Sequence, residues 1–220
     1  MGNPLNGALY ERYTKRLIDI ILSILLIILF SPVCVAVTIA IKLSSKGPVF
    51  ADVPERVGKK KTMFKMYKFR SMIANAHVLL RTDPRFKKLF DQYKLGSYKL
   101  KKDPRTTKTG RFIRKHSFDE IPQFFNVLKG EMSLVGPRAY YPDELEEQQK
   151  KYPHTTVLVE KVLSIRPGIT GLWQVTGRSE INFDKRIALD ATYADSISLW
   201  NDLKILGKTP WVMITGRGAI

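Results

Sequence analysis

The sequence predicts an α+β chain with helices, a small β element and one membrane-embedded segment, from three observations. Residues 20–41 are uncharged and strongly apolar, residues 49–70 alternate in the manner of short strands, and residues 121–128 carry apolar side chains at helical spacing. The 220 residues are enough for one domain with a sizeable core, to which a membrane segment is attached.

The apolar segment runs from Ile20 to Ile41, and its 22 residues are enough to cross a bilayer. It is too long for a secretory signal, and no small-residue cleavage site follows it. Ser31-Pro32 lies at its midpoint. Because proline cannot bond the carbonyl of Ile28, we expect a kink there, with the Ser31 hydroxyl covering a nearby freed carbonyl.

Both flanks of this segment are basic. The flanking cations are Arg12, Lys15 and Arg16 on one side and Lys42 and Lys46 on the other. A spanning helix would place one basic flank outside, against the positive-inside tendency. A helix-break-helix that enters and leaves on the cytoplasmic side satisfies both flanks, while a spanning helix that tolerates its proline stays open.

Residues 49–70 favour two short strands around the turn Gly58-Lys59-Lys60-Lys61. Aromatic and basic residues then alternate up to Lys68 and Arg70, as in a half-buried strand with a basic face. Residues 73–105 are predicted to be helical, with breaks at Asp83-Pro84 and Asp103-Pro104. A single histidine in this part, His77, is predicted to lie at the surface.

The formal charge of +17 predicts an anionic partner, which can be a phosphate substrate, acidic lipid or nucleic acid. The single cysteine, Cys34, excludes an intrachain disulfide and any cysteine-based zinc site.

Residues 111–138 combine a basic cluster, two adjacent carboxylates and an amphipathic helix. The cluster consists of Arg111, Arg114, Lys115 and His116. Asp119 and Glu120 follow at the predicted helix start. The predicted apolar face of the helix consists of Ile121, Phe124, Phe125 and Leu128. Gly130 is its predicted stop, and a turn brings in Arg138.

The two carboxylates fit two interpretations. Ser117 and Glu120 match a capping box, in which the acidic residues would only stabilise a helix start. Alternatively, the helix start and the upstream cations attract phosphate. Asp119 would then act as a nucleophile on phosphorus and Glu120 would hold Mg²⁺.

The last third of the chain offers further candidates. Residues 163–178 combine glycines with Arg166 and Arg178, which can bind phosphate through two parallel hydrogen bonds. A helical region over residues 182–206 carries Asp190 and Asp202. Its tryptophan-lysine pattern suits either a bilayer interface or an ordinary packing helix.

Several ordered motifs together resemble one family. They are the segments 68–72 (KFRSM), 119–120 (DE), 126–130 (NVLKG), 133–138 (SLVGPR) and 166–175 (RPGITGLWQV). The chain resembles the bacterial sugar transferases, or monotopic phosphoglycosyl transferases, over nearly its whole length. One departure is Ala139, where the family often has proline after the arginine.

The resemblance implies an α+β fold with a re-entrant helix broken at Ser31-Pro32, interfacial helices and a small antiparallel β element. Residues 1–46 would form the membrane segment and residues 47–220 a cytosolic, membrane-associated catalytic domain. The enzyme would lie on the cytoplasmic face of the bacterial inner membrane. It would transfer a sugar-1-phosphate from a UDP-sugar to polyprenyl (undecaprenyl) phosphate, starting surface-glycan assembly.

By the same resemblance Asp119 is the catalytic nucleophile and Glu120 a catalytic ligand of Mg²⁺. The residues expected to bind or support substrate are Lys68, Arg70, Arg114, Arg138, Arg178, Asp190 and Asp202. No nucleic acid is expected, and a homo-oligomer is compatible with the sequence. The rival class is a membrane-anchored basic module that binds nucleic acid or serves as a scaffold. The sequence does not specify the sugar.

Overall fold

The computed structural model describes residues 7–95, 98, 100, 103–176 and 181–215. Helices dominate this part of the chain. In chain order they are α1 (Lys15–Ser44), α2 (Ala76–Thr82), α3 (Lys87–Leu95), α4 (Lys108–Lys115), α5 (Gln123–Lys129), α6 (Pro142–Lys151), α7 (Thr156–Leu163), α8 (Leu172–Thr176), α9 (Phe183–Asp195) and α10 (Leu199–Thr215). The predicted combination of helices with a small β element is therefore confirmed, and helix predominates.

The apolar segment forms α1, whose 30 residues correspond to a length of about 45 Å. Within the described residues it alone is long and apolar enough to cross a membrane by length and composition. Pro32 lies inside the helix, and the helical backbone continues through it. The Ser31 hydroxyl donates to the Ile28 carbonyl (2.8 Å), the acceptor that Pro32 leaves free. The re-entrant course of the segment stays a prediction.

Both ends of α1 contact the globular part of the chain. Near its start, the Asp19 carboxylate accepts from the backbone N–H of Leu134 (3.0 Å). Near its end, Ile41 is buried in the main core, and Arg70 donates to the Lys46 carbonyl just beyond the helix. In the middle, one side of the helix is exposed, with Leu29 67% accessible, while Phe30 and Val33 are partly buried against the main core. The helix therefore contacts the globular part near both ends and keeps an exposed apolar side.

The predicted antiparallel element is confirmed, and a second, parallel pair accompanies it. Strand β1 (Arg56–Val57) pairs with β2 (Met63–Phe64) across a tight turn through Lys59–Lys61. Strand β3 (Ser133–Val135) runs parallel to β4 (Gly168–Thr170). The pairing of β3 and β4 could not be predicted, because strands of three residues carry no periodic pattern and lie far apart in sequence.

Three hydrophobic clusters hold these elements together. The main one joins α1 to β2, α4, α5 and β3. A second surrounds α7 and α9, and a third, smaller one packs α2 and α3 on Tyr141. The predicted break between α2 and α3 is confirmed, since Asp83 follows α2 and its carboxylate accepts from the backbone N–H of Arg85 (2.9 Å).

Candidate functional site

The segment that carries the two adjacent carboxylates is a short 3₁₀ turn rather than the start of an α-helix. Ser117 adopts a left-handed conformation (φ 56°), Phe118–Glu120 form the turn, and α5 begins only at Gln123. Ser117 makes no side-chain capping bond, so the capping-box interpretation is wrong. Pro122 was the available signal, since proline favours the first positions of a helix.

The buried face of α5 agrees only in part with the predicted one, since Ile121 and Phe124 are buried as predicted. Phe125 is 51% exposed, whereas Val127 is wholly buried. Asn126 explains this orientation, because its buried amide accepts from the backbone N–H of Tyr67 and donates to the Lys65 carbonyl (both 2.9 Å). The predicted stop at Gly130 is confirmed by its left-handed φ of 84°.

The bonds of Asn126 also position the segment around Lys68. The backbone N–H of Phe69 donates to the Asp119 carbonyl (3.0 Å). The Lys68 ammonium then lies 2.7 Å from Glu120 Oε1 and 3.7 Å from Asp119 Oδ2. Helix α5 and the strand-like segment thus bring together motifs that are about fifty residues apart in the sequence.

A cavity of about 300 Å³ opens at this point, within the size range of small-molecule sites. Six of the predicted site residues line it: Lys68, Arg70, Arg114, Asp119, Glu120 and Arg138. Residues that the sequence did not single out for a site also line it, among them Arg56, His77, Arg105, Gln123 and Tyr141.

Burial and neighbouring charges shift the pKa of the Asp119 carboxylate in opposite directions. Burial raises its pKa, the Lys68 ammonium lowers it, the neighbouring Glu120 raises it again and Arg114 lowers it. The net direction is upward, whereas the upstream cations alone led us to expect a carboxylate held ionised. A more basic carboxylate is a stronger nucleophile when it is deprotonated, and the adjacent cations favour that form.

The cavity wall holds buried polar atoms that have no hydrogen-bond partner within the described ranges. They are Arg56 Nε, Arg70 Nε, His77 Nδ1, Gln123 Nε2, Arg138 Nε and Gln174 Oε1. Buried polar groups are normally paired. Their concentration around one cavity indicates a site built for a polar ligand, and the arginines indicate an anionic one.

His77 lines this cavity, so its predicted position at the surface is wrong. Burial lowers its pKa to about 3, and the nearby cations Arg56 and Arg105 add to the shift. The imidazole is therefore neutral at physiological pH. No local signal marks this position, because a lone histidine on a charged helix has the same sequence pattern whether it lies at the surface or in a cavity wall.

Asp190 lies behind the cavity wall instead of lining it. Its Oδ2 accepts from the backbone N–H of Arg138 (3.0 Å) and from the Tyr140 hydroxyl (2.9 Å). Burial raises its pKa to about 7. Its contact with the site is therefore indirect, through the backbone of Arg138.

Asp202 belongs to a separate polar cluster that ties α10 to the start of α1. Its carboxylate accepts from the hydroxyls of Tyr10 (2.8 Å) and Tyr193 (2.7 Å) and pairs with Lys15 (2.5 Å). None of these residues is among the lining of the cavity. A direct substrate contact by Asp202 does not fit these surroundings.

The two arginines predicted around residues 163–178 have different outcomes. Arg166 donates from Nε to the Gly130 carbonyl (2.9 Å), so it caps the C-terminal end of α5 instead of facing the cavity. Arg178 lies outside the described residues. Trp173 between them is buried and lines the cavity, with the Arg138 guanidinium 5.4 Å from its ring centroid.

The cavity has donors suited to one cation in combination with a ligand. Among the described residues, no group of three or more histidine, cysteine, aspartate or glutamate side chains could hold a metal by itself. Mg²⁺ usually takes only one or two carboxylates and completes its shell with substrate phosphates and water. The oxygen donors of Asp119 and Glu120 fit that pattern.

Comparison with known proteins identifies relatives over almost the whole chain. The sequence model of the bacterial sugar transferases matches residues 10–216. The chain is 41% identical to the undecaprenyl-phosphate galactose phosphotransferase of Salmonella typhimurium, over 95% of this chain and 42% of that protein. It is 40% identical to the UDP-glucose:undecaprenyl-phosphate glucose-1-phosphate transferase of Klebsiella pneumoniae, over 93% and 40%.

Some relatives are about as long as this chain, and others are more than twice as long. The exopolysaccharide production protein ExoY of Rhizobium meliloti is 36% identical, over 93% of this chain and 87% of that protein. The chain spans less than half the length of the first curated relatives it matches.

Proposed function

Since this chain belongs to the bacterial sugar transferase family, we propose that it transfers a sugar-1-phosphate from a UDP-sugar to polyprenyl phosphate and releases UMP. The observation that carries the proposal is the cavity that brings Asp119 and Glu120 together with Lys68, Arg114 and Arg138. Such a set of cations binds a diphosphate, and a carboxylate among them can attack phosphorus.

In the proposed first step, the Asp119 carboxylate attacks the sugar-bearing phosphorus of the UDP-sugar. A bond forms between a carboxylate oxygen and phosphorus, and the bond from that phosphorus to the bridging oxygen breaks. UMP leaves with the bridging oxygen and its electron pair. The sugar phosphate stays on Asp119 as an acyl phosphate.

In the second step, a phosphate oxygen of polyprenyl phosphate attacks the same phosphorus. The acyl–oxygen bond to phosphorus breaks, and Asp119 leaves as a carboxylate. The product is a polyprenyl diphosphate sugar. No net proton is consumed in either step, so the demand on the protein is charge stabilisation and alignment.

The cations supply that stabilisation. Lys68 contacts both carboxylates, so it can screen their negative charge while the diphosphate approaches. Arg114 and Arg138 line the same cavity and offer the planar donor pairs that match phosphate oxygens. Glu120 would hold Mg²⁺, which when bound supplies neutralisation of the diphosphate charge.

The proposed location is the cytoplasmic face of the bacterial membrane, with α1 entering and leaving on that side. Asp19 near one end of α1 and Ile41 near the other both contact the globular body, while one apolar side of the helix between them, including Leu29, is exposed. A straight helix of about 45 Å that crossed a bilayer would carry its two ends to opposite faces.

Cysteine labelling tests this topology. Single cysteines placed near Thr14 and near Ser45, in a variant that lacks Cys34, should both be protected from an impermeant reagent added outside intact cells. Both should react once the membrane is opened. Labelling of one flank from outside would contradict the re-entrant course.

A UMP-release assay tests the reaction itself. The purified protein should release UMP from at least one of several UDP-sugars in the presence of Mg²⁺ and undecaprenyl phosphate, with formation of a lipid-linked sugar diphosphate. Absence of UMP release with every UDP-sugar tried would contradict the proposed reaction. The names of the relatives point to galactose, glucose and N-acetylgalactosamine donors as the first to try.

A further inference from the structure

Arg56 is a buried cation in the cavity wall for which the reaction steps above have no role. It stands at the start of β1 and is only 6% exposed. Its Nη1 donates to the Ala139 carbonyl (2.9 Å), and its guanidinium lies 3.3 Å from the ring centroid of Tyr141. These contacts fix the plane of the guanidinium at the edge of the cavity.

The charge of Arg56 is not neutralised by a close carboxylate. Arg105 and Arg186, which are equally buried, each have a carboxylate oxygen at 2.6 Å. For Arg56, no such oxygen of the described residues lies within 4.0 Å, and its Nε has no hydrogen-bond partner there. A buried cation without a counter-charge is costly. Its presence in a cavity wall indicates that an anionic ligand completes the site.

A UDP-sugar brings two phosphates, and they need different surroundings. The sugar-bearing phosphorus must lie against Asp119, whose pKa is set by burial and by Lys68, Glu120 and Arg114. Arg56 has different neighbours, since its guanidinium is held by the Ala139 carbonyl and the Tyr141 ring and forms no ion pair with Asp119 or Glu120. The cavity therefore offers a second cationic position beside the one that surrounds the nucleophile.

We propose that Arg56 binds the phosphate that departs with UMP. This inference rests on the proposed function. When the bond from the sugar-bearing phosphorus to the bridging oxygen breaks, negative charge accumulates on the phosphate of UMP. A guanidinium already oriented by Tyr141 and Ala139 stabilises that charge without reorganising. No proton transfer is required, because UMP leaves as its dianion.

The test compares two ligands that differ only by the phosphate. UMP and uridine are titrated into the full-length protein in detergent micelles by calorimetry, for wild type, Arg56→Gln and Arg56→Lys. The ratio of the two dissociation constants isolates the contribution of the phosphate. Arg81→Gln is the matched control, because Arg81 lies near His77 but pairs with Asp143 (2.6 Å) and does not line the cavity.

In Arg56→Gln we expect the preference for UMP over uridine to fall about tenfold or more, as for loss of a hydrogen bond to a charged group. Uridine affinity should be unchanged. Arg56→Lys should retain part of the preference, and Arg81→Gln should keep it within about twofold.

Three results would overturn the inference. They are an unchanged preference in Arg56→Gln, an equal loss for both ligands, which marks a purely structural role, and a wild-type protein that does not bind UMP. The proposed function can fail separately. A wild type that binds UMP through Arg56 but releases none from any UDP-sugar contradicts the reaction and leaves the phosphate site in place.

Discussion

Two pairs of carboxylates differ in what surrounds them. Asp119 and Glu120 line a cavity whose wall carries polar atoms without a hydrogen-bond partner among the described residues. Asp202 is as buried as Asp119, but two tyrosine hydroxyls and Lys15 already occupy its oxygens. Asp190 lies between these extremes, with Oδ2 bonded twice and Oδ1 without a partner in the described part of the chain.

The difference shows that a buried carboxylate is a candidate for chemistry when hydrogen-bonding capacity remains beside it. A carboxylate whose acceptors are all used inside the fold contributes to stability instead. Residue type and local spacing do not separate the two cases, and for that reason the sequence analysis placed Asp190 and Asp202 among the residues expected to bind or support substrate. Six substitutions test this difference.

The largest effect should come from Asp119→Asn. The amide keeps the shape but cannot attack phosphorus, so UMP release per folded molecule should fall about 10³-fold or more. Asp202→Asn should keep most of its activity per folded molecule, because Asp202 does not line the cavity. UMP release normalised to the folded fraction checks both values. Equal losses of activity in the two variants would show that Asp119 and Asp202 do not differ in their role.

For the free energy of unfolding, we expect the larger effect at Asp202 and the smaller one at Asp119. Asp202→Asn removes the ion-pair partner of the buried Lys15 ammonium and leaves it only the more distant charge of Asp19, so we expect a loss of about 3 kcal/mol in the free energy of unfolding. Adding Lys15→Met should restore a large part of this loss. Asp119→Asn should change stability by no more than about 1 kcal/mol. Thermal unfolding in matched detergent measures all three, and an unaltered midpoint for Asp202→Asn would show that the contacts of Asp202 do not stabilise the fold.

Two arginines extend the test from carboxylates to cations. Arg138 lines the cavity and Arg166 caps α5 through the Gly130 carbonyl. Arg138→Lys should weaken turnover about tenfold, because lysine lacks the paired donors that fit phosphate. Arg166→Lys should change turnover about twofold, since one donor still reaches a carbonyl. Steady-state kinetics with the UDP-sugar varied gives both values, and a larger loss for Arg166→Lys would reverse the assignment.

The smallest effect concerns Asp190. Its folded pKa is raised to about 7, above the ordinary value of 3.8, because burial favours the protonated form. The stability it contributes is complete below about pH 4 and is lost as the pH rises through about 7. Asp190→Asn should therefore remove part of the decrease in unfolding temperature between pH 5 and pH 8. A variant whose pH profile matches wild type would show that Asp190 does not titrate there.

Local signals in the sequence predicted much of the fold. The apolar run, the role of Ser31 at Pro32, the turn after β1 and the stop at Gly130 depend on neighbours in the chain and were predicted correctly. The pairing of β3 with β4 was not, because it depends on contacts between distant segments.

The site residues were likewise predicted where they lie in local motifs and missed where they depend on contacts between distant segments. Residues within the family-like motifs 68–72, 119–120 and 133–138 meet at the cavity. Arg56 was not predicted as a site residue, and His77 was wrongly predicted to lie at the surface. A lone arginine in a short strand and a lone histidine on a helix carry no local signal of burial. Only the packing of α2 on Tyr141 and the contact of Arg56 with Ala139 place them in the wall.

Intact-mass measurement of the protein incubated with a UDP-sugar and Mg²⁺, without polyprenyl phosphate, tests whether Asp119 carries the sugar phosphate. We expect wild type and Asp202→Asn to gain the mass of one sugar phosphate, and Asp119→Asn to gain none. An adduct of equal stoichiometry on Asp119→Asn would contradict this expectation. So would a wild type that gains no mass and releases UMP only when polyprenyl phosphate is present.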